Sequence, residues 1–302
     1  MRISSSPVVT KLHQFTGHRD AIFSLARIDE SSFLSAGSDG FVVRWNVHEP
    51  DKGTVVAQAK ASIYAMNNKD NQEILFGQNY DGLRILNMNI GKTQSLQLTQ
   101  KAIFTIESIG NKALIGTGAG VLHIIDKDKL SIIKEVALSD KSLRTLTIHP
   151  NGQELAAGYS DHIIRILDTQ SWQIKYELAG HTNSVFSVVY SLNGQQLLSA
   201  GRDAHIKSWN TEKAYELTED VVAHMYAINH LAYSPCGNYF ASASMDKSIK
   251  LWQANPMRLL KVVDKARHGG HTNSVNRLLW LNNNTLVSAS DDRSLAVWKV
   301  DF

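Results

Sequence analysis

The chain has 302 residues, 43% of them hydrophobic and 20% charged, with a formal net charge of +3. That balance excludes a disordered or fibrous polymer and leaves ample length to bury a core, while so mild a positive charge does not argue for a nucleic-acid-binding domain. A lone cysteine, Cys236, excludes an internal disulfide framework and fits a reducing compartment. With no signal-like apolar stretch near the start and no run long enough to span a bilayer, the chain reads as cytosolic.

Residues 1–6 are small and polar and read as loose. Residues 8–15, VVTKLHQF, alternate as a strand does, yet no earlier strand exists to make a hairpin with them. A motif then recurs seven times: at 33–45 (FLSAGSDGFVVRW), 74–86, 113–125, 154–167, 197–209 (LLSAGRDAHIKSW), 239–252 and 285–298. Its closing residues are Trp45, Leu86, Ile125, Leu167, Trp209, Trp252 and Trp298, at steps of 41, 39, 42, 42, 43 and 46 residues. A period just above 40 is that of a four-stranded propeller blade. The expected fold is therefore all-β, a seven-bladed β-propeller of four-stranded antiparallel blades, built as one domain over 1–302.

Within each repeat an innermost strand (22–26, 184–190, 275–280) leads through a polar turn such as His149-Pro150-Asn151-Gly152 to a second strand (197–201). A turn with Asp follows, then a third strand ending at the closing residue, then a more polar outer strand (172–178, 257–263). The last repeat ends four residues after Trp298, too soon for an outer strand of its own. The unpaired strand at 8–15 fits that gap, so the N-terminal strand is expected to complete the last blade and close the ring.

Gly17-His18 pairs with Trp45-Asn46, Gly180-His181 with Trp209-Asn210, Ala223-His224 with Trp252-Gln253, and Gly270-His271 with Trp298-Lys299. This pattern resembles the WD-repeat (WD40) β-propeller family, over 8–300. No repeat has a literal Trp-Asp, and the second, third and fourth lack both Gly-His and Trp. Four tetrads recur at fixed offsets: His18/Ser35/Asp39/Trp45, His181/Ser199/Asp203/Trp209, His224/Ser242/Asp246/Trp252 and His271/Ser288/Asp292/Trp298. Ser, His and Asp together invite a catalytic reading, but a triad is needed once and this set appears four times. The resemblance implies structural staples instead, each a hydrogen-bonded chain from the inter-blade loop to the third strand. The sector 53–171, which lacks complete tetrads, is expected to rely on aliphatic packing.

No metal or cofactor is expected. His268/His271 and His224/His230 have no Cys or carboxylate at ligand spacing, and the glycine-rich stretch 116–120 lies between strands rather than opening a helix. Each innermost strand begins with a quartet: IFSL, IYAM, IFTI, LRTL, VFSV, INHL and VNRL. Its first, third and fourth residues read as packing. The second, Phe23, Tyr64, Phe104, Arg144, Phe186, Asn229 and Asn276, faces away by alternation. The resemblance implies that this position rings the channel mouth, where the aromatics either contact a partner or plug the channel. Tyr80, Arg202 and Met245, each just before the turn Asp, and Tyr226, just after the inter-blade His, are expected on the same rim.

The function expected is a non-catalytic protein–protein interaction scaffold that binds a partner peptide or loop over this aromatic-rich mouth, whose aromatics are suited to accept a cationic side chain. The alternative is a binder of nucleic acid or an acidic partner through the basic segment from Asn255 to His271. A channel-site enzyme is a third reading, for which the ring supplies no carboxylate or His.

Overall fold

A computed structural model describes residues 6–50, 52–68 and 73–302. The stretch read as loose falls at 1–5 outside the described residues, and Ser6 is held by its Oγ donating to the Leu260 carbonyl at 3.0 Å. The strands form seven four-stranded antiparallel sheets. We number the blades 1 to 7 by their innermost strands: Ile22–Arg27, Ile63–Asn67, Ile103–Ile109, Leu143–Ile148, Val185–Tyr190, Ile228–Tyr233 and Val275–Asn282. In blades 1 to 6 the four strands lie side by side in chain order.

Blade 7 departs from that order, as the sequence led us to expect. Its outer strand is Val8–Phe15, paired antiparallel with Leu295–Asp301, so that Val8 faces Asp301, Lys11 faces Trp298 and Phe15 faces Leu295. Closure protects an edge that each end of the chain would otherwise leave open. It also fills a core: Phe15 packs edge-on against Phe33 and Trp45 of blade 1, at 5.8 and 5.5 Å between ring centroids. The buried clusters lie between blades rather than within them. One joins Phe15, Leu281, Leu295 and Val297 to Ile22, Phe33 and Trp45 across the seam.

The turn between second and third strands explains the recurring Asp. In blades 1, 4, 5, 6 and 7 its Oδ1 accepts the N–H two residues on, from Phe41, Ile163, His205, Ser248 and Ser294. This Asx turn helps the intervening residue adopt left-handed φ, +64° at Ala204, +72° at Lys247 and +67° at Arg293, without glycine. The other oxygen is then free for the staple. Asp203 Oδ2 lies 2.8 Å from His181 Nδ1, His181 Nε2 lies 2.8 Å from Ser199 Oγ, and Trp209 Nε1 donates to that Oγ at 2.8 Å.

The other three tetrads repeat the arrangement. Ser35 Oγ lies 2.7 Å from His18 Nε2 and accepts from Trp45 Nε1 at 2.8 Å, with His18 Nδ1 2.8 Å from Asp39. Ser242 Oγ lies 2.7 Å from His224 Nε2 and accepts from Trp252 Nε1 at 2.9 Å, with His224 Nδ1 2.8 Å from Asp246. Ser288 Oγ lies 2.8 Å from His271 Nε2 and accepts from Trp298 Nε1 at 2.9 Å, with His271 Nδ1 3.0 Å from Asp292.

Donor counting fixes the protons. Trp Nε1 can only donate, so Ser Oγ accepts from it and turns its own hydrogen to His Nε2; Nδ1–H then points at the carboxylate. Burial works to raise Asp203, but the His181 hydrogen bond and the N–H groups of Thr182 and His205 outweigh it and hold its pKa at about 2. Asp39, Asp246 and Asp292 are likewise held down against burial, chiefly by their histidines. Ser35, Ser199, Ser242 and Ser288 are each 0% exposed and engaged by Trp and His, so none can reach an outside substrate. They belong to the interior.

Blades 2 and 4 fasten the same turn differently. Asp161 accepts from Ser139 Oγ at 2.7 Å and Arg165 Nη1 at 2.9 Å, and Arg165 continues to Glu177 at 3.0 Å. Asp81 accepts from Gln78 Nε2 at 2.8 Å, with Arg84 3.6 Å away. Aliphatic packing in this sector is therefore supplemented by clasps nearer the surface than the His–Ser–Trp staples.

Ser199→Ala strands two buried polar groups and is expected to lower stability by about 1–3 kcal/mol, read from denaturant unfolding. The stability that Asp203 contributes is present above the ordinary carboxylate pKa and lost as pH falls from about 4 to about 2, so Asp203→Asn should flatten the acid-unfolding profile in that window. Amide exchange followed by mass spectrometry should run faster across 53–171 than in blades 5 to 7; uniform protection around the ring contradicts that ranking.

Candidate interaction site at the channel mouth

The mouth is made by a backbone device repeated seven times. In every innermost strand the register against the second strand shifts just after the first quartet residue, between Ile22 and Ser24, Ile63 and Met66, Ile103 and Thr105, Leu143 and Thr145, Val185 and Ser187, Ile228 and His230, and Val275 and Arg277. A bulge leaves one residue unopposed and re-aims its side chain. Here that residue is the second of the quartet, with Ala65 beside it also unopposed in blade 2. Phe23, Tyr64, Phe104, Arg144, Phe186, Asn229 and Asn276 consequently line one depression of about 370 Å³, together with Arg277, which the sequence reading missed.

The ring divides into two arcs. Phe23 meets Tyr64 edge-on at 4.9 Å, and Tyr64 stacks parallel to Phe104 at 5.9 Å. The Arg144 guanidinium lies 4.1 Å from the Phe104 ring centre and 5.4 Å from that of Phe186, with Nε donating to Ser160 Oγ at 3.0 Å. From Phe23 to Phe186 the contacts are unbroken. The second arc is amide: Asn229 Nδ2 donates to the Val275 carbonyl at 2.9 Å, and Asn276 Nδ2 donates to the Ile22 carbonyl at 3.0 Å and Asp291 Oδ1 at 2.7 Å. These two asparagines tie blades 6, 7 and 1 together while lining the mouth.

Burial and then the nearby Arg202 charge hold the Arg144 pKa below the usual arginine range, with Tyr64 opposing. Burial, then Tyr80, pushes the Tyr64 hydroxyl up, so it stays a neutral phenol. One side each of the Phe104 and Phe186 rings is occupied by the chain's own Arg144, a cation already in place on the aromatics expected to receive one.

The third quartet position is a correction. It was expected to pack with the first and fourth, which are indeed buried, but it carries an inter-blade hydrogen-bond series. Thr105 Oγ1 accepts from Leu146 N–H at 3.2 Å, Thr145 Oγ1 from Val188 at 3.3 Å, Ser187 Oγ from Leu231 at 3.0 Å and His230 Nδ1 from Leu278 at 3.2 Å. Burial, aided by Arg277, keeps His230 well below the usual histidine pKa, so the neutral ring accepts at Nδ1 and carries its hydrogen on Nε2. The series stops at three positions: Arg277 has no acceptor, Ala65 has no polar atom, and the buried Ser24 hydroxyl finds no partner among the described residues. The recurrence of Thr and Ser at this position was the available signal.

Around the mouth, Arg202 is exposed, and Tyr80 projects from its turn with left-handed φ +66°. Met225, Tyr226 and Met245 are 82%, 61% and 53% exposed, too much apolar surface for residues that only pack. Met245 N–H donates to the Ala227 carbonyl at 2.9 Å, fixing the two loops that carry this shoulder.

The competing sites are less developed. Among the described residues no group of three His, Cys, Asp or Glu side chains converges as metal ligands do. Gly116 and Thr117 end the strand Lys112–Thr117, and residues 118–120 form its turn to Val121–Asp126. The basic segment comprises the outer strand Arg258–Val263 and a short helix, Lys265–His268, in which Arg267 is paired with Asp264 at 2.7 Å. No helix among the described residues is long and apolar enough to cross a membrane.

Comparison with known proteins agrees with this architecture. The family model "WD domain, G-beta repeat" matches residues 9–46, 135–168, 172–210, 216–253 and 263–299, leaving out 47–134, where tetrads are absent. The chain is 28% identical over 97 residues to periodic tryptophan protein 2 homolog of Mus musculus, covering 32% of this chain and 11% of that protein. It is 29% identical over 94 residues to Polycomb protein esc of Drosophila melanogaster, covering 30% and 22%. Against transcription factor unc-37 of Caenorhabditis elegans it is 23% identical over 188 residues, covering 61% and 30%. These matches span less than a third of each relative's own length. With matched repeats over more than half of its residues, the chain belongs to the WD domain, G-beta repeat family.

Proposed function

We propose that the protein is a non-catalytic interaction scaffold that binds a segment or loop of a partner protein over the channel mouth. The observation that carries this reading is the unbroken arc from Phe23 to Phe186 lining an open depression, at the same end as the exposed shoulder of Met225, Tyr226 and Met245. Aromatic, Met and Arg side chains are those enriched in binding hot spots. Stacking within the arc favours one further role, narrowing of the channel, which the same rings serve whether or not a partner is bound. Among the relatives, TSET complex member tstF of Dictyostelium discoideum is named for membership of a complex.

The cytosolic location suggested by the lone Cys236 belongs to the same proposal. A yeast relative is named U3 small nucleolar RNA-associated protein 21, and imaging of the tagged chain tests the cytosolic reading, which a nuclear signal would overturn.

Two variants test the mouth, Phe23/Phe104/Phe186→Ala and Tyr226/Met245→Ala, compared with the native chain in a pull-down. Loss of the same partner at an unchanged unfolding midpoint is the expected result. Retention of every partner by both variants moves the site to another face.

A further inference from the structure

We infer that the mouth recognises an acidic segment, with a Glu or Asp carboxylate of the partner seated on Arg144, and Arg202 on the surrounding rim adding to the positive field. This rests on the proposed function and adds the chemistry of the partner.

Arg144 is the only charged residue of the seven-membered ring, and it is held as a plane between two aromatic rings. Stacking of this kind fixes the guanidinium without neutralising it. Its Nε is used on Ser160, a neutral acceptor. Among the described residues no carboxylate forms an ion pair with Arg144 or with Arg202, and the carboxylates of the neighbouring turns are committed elsewhere. Asp161 is taken by Ser139 and Arg165, Asp203 by His181, and Asp291 accepts from Asn276. Arg277 also lines the depression, but the Glu107 carboxylate acts on it, so Arg144 is the ring's cation without a carboxylate of its own.

Like charges at a partly dry mouth, one in its wall and one on its exposed rim, repel one another, and that cost is relieved by an anion. The repulsion is felt: the Arg202 charge is among the causes that lower the Arg144 pKa. A cationic side chain from a partner would enter this field unfavourably and find Arg144 already over one side of Phe104 and of Phe186. A carboxylate meets a planar guanidinium edge, the geometry that favours paired N–H···O bonds. The apolar shoulder at Tyr226 and Met245 accepts the flanking part of the segment.

The test pans a phage-displayed random linear peptide library over the immobilised full-length chain. Selected peptides are then synthesised with each acidic residue changed to its amide and measured against the native chain, Arg144→Gln, Arg202→Gln and Tyr226/Met245→Ala. The expected result is enrichment of Glu and Asp, with one Glu→Gln peptide about tenfold weaker on the native chain and nearly equal to its parent on Arg144→Gln. Arg202→Gln, a change at an exposed side chain that leaves folding intact, is expected to give part of the same loss and flatten the salt dependence. Peptides that depend on Tyr226/Met245 but carry no acid, or that ignore both Arg substitutions, overturn the acidic assignment while leaving the mouth as the site. Peptides indifferent to every variant, or no selected peptide at all, overturn both.

Discussion

The structure depends on one seam. A propeller blade buries its faces only against the next blade, so a row of seven has two raw ends unless the first and last meet. Pairing of Val8–Phe15 with Leu295–Asp301 removes both at once and carries Phe15 into the cluster that joins blade 7 to blade 1. Everything at the mouth inherits its position from that closure, because the seven bulged residues converge only if the innermost strands stand in a closed circle.

Given the circle, its two sides are put to different uses. In blades 6 and 7 the ring residues are asparagines whose amides bridge to the next blade, a direct reinforcement beside the seam. From blade 1 to blade 5 they are aromatic, with one arginine, and their contacts run side chain to side chain. The polar series below, from Thr105 to His230, stitches blades 3 to 7. Backbone-directed hydrogen bonds thus brace most of the circumference, leaving the aromatic arc as the surface whose composition is least explained by structural need.

The fold was legible because the information it rests on is periodic. Seven closing residues at nearly equal steps fix the blade count, and two complementary shortfalls at the chain ends fix the seam. Residue identity alone marked the tetrads, since Trp, Ser, His and Asp at constant offsets leave one consistent pattern of donors and acceptors. Full burial of Ser35, Ser199, Ser242 and Ser288 follows from that pattern, because each oxygen sits where a Trp and a His converge. Along a single strand, alternation of side chains predicts that positions two and four share a face, and a bulge breaks that rule. The quartet's third position was therefore read as packing, although Thr105, Thr145 and Ser187 bond across to the next blade. Stacking of Arg144 between Phe104 and Phe186 joins residues some 40 positions apart in different blades, a relation that no local pattern encodes. The clasp of Asp161 with Ser139 and Arg165 was hidden for a related reason: it preserves the turn's geometry with different residue types.

The seam is open to a direct chemical measurement. Thr10 and Lys299 are opposed across it, both with exposed side chains, at a Cα separation that an antiparallel pair keeps within disulfide range. With Cys236 changed to Ser, a Thr10→Cys/Lys299→Cys chain under mild oxidation is predicted to form an intramolecular 10–299 disulfide and to unfold at a higher temperature than its reduced form. Free thiols after oxidation, or bridges only between molecules, would contradict closure of the ring by its two ends.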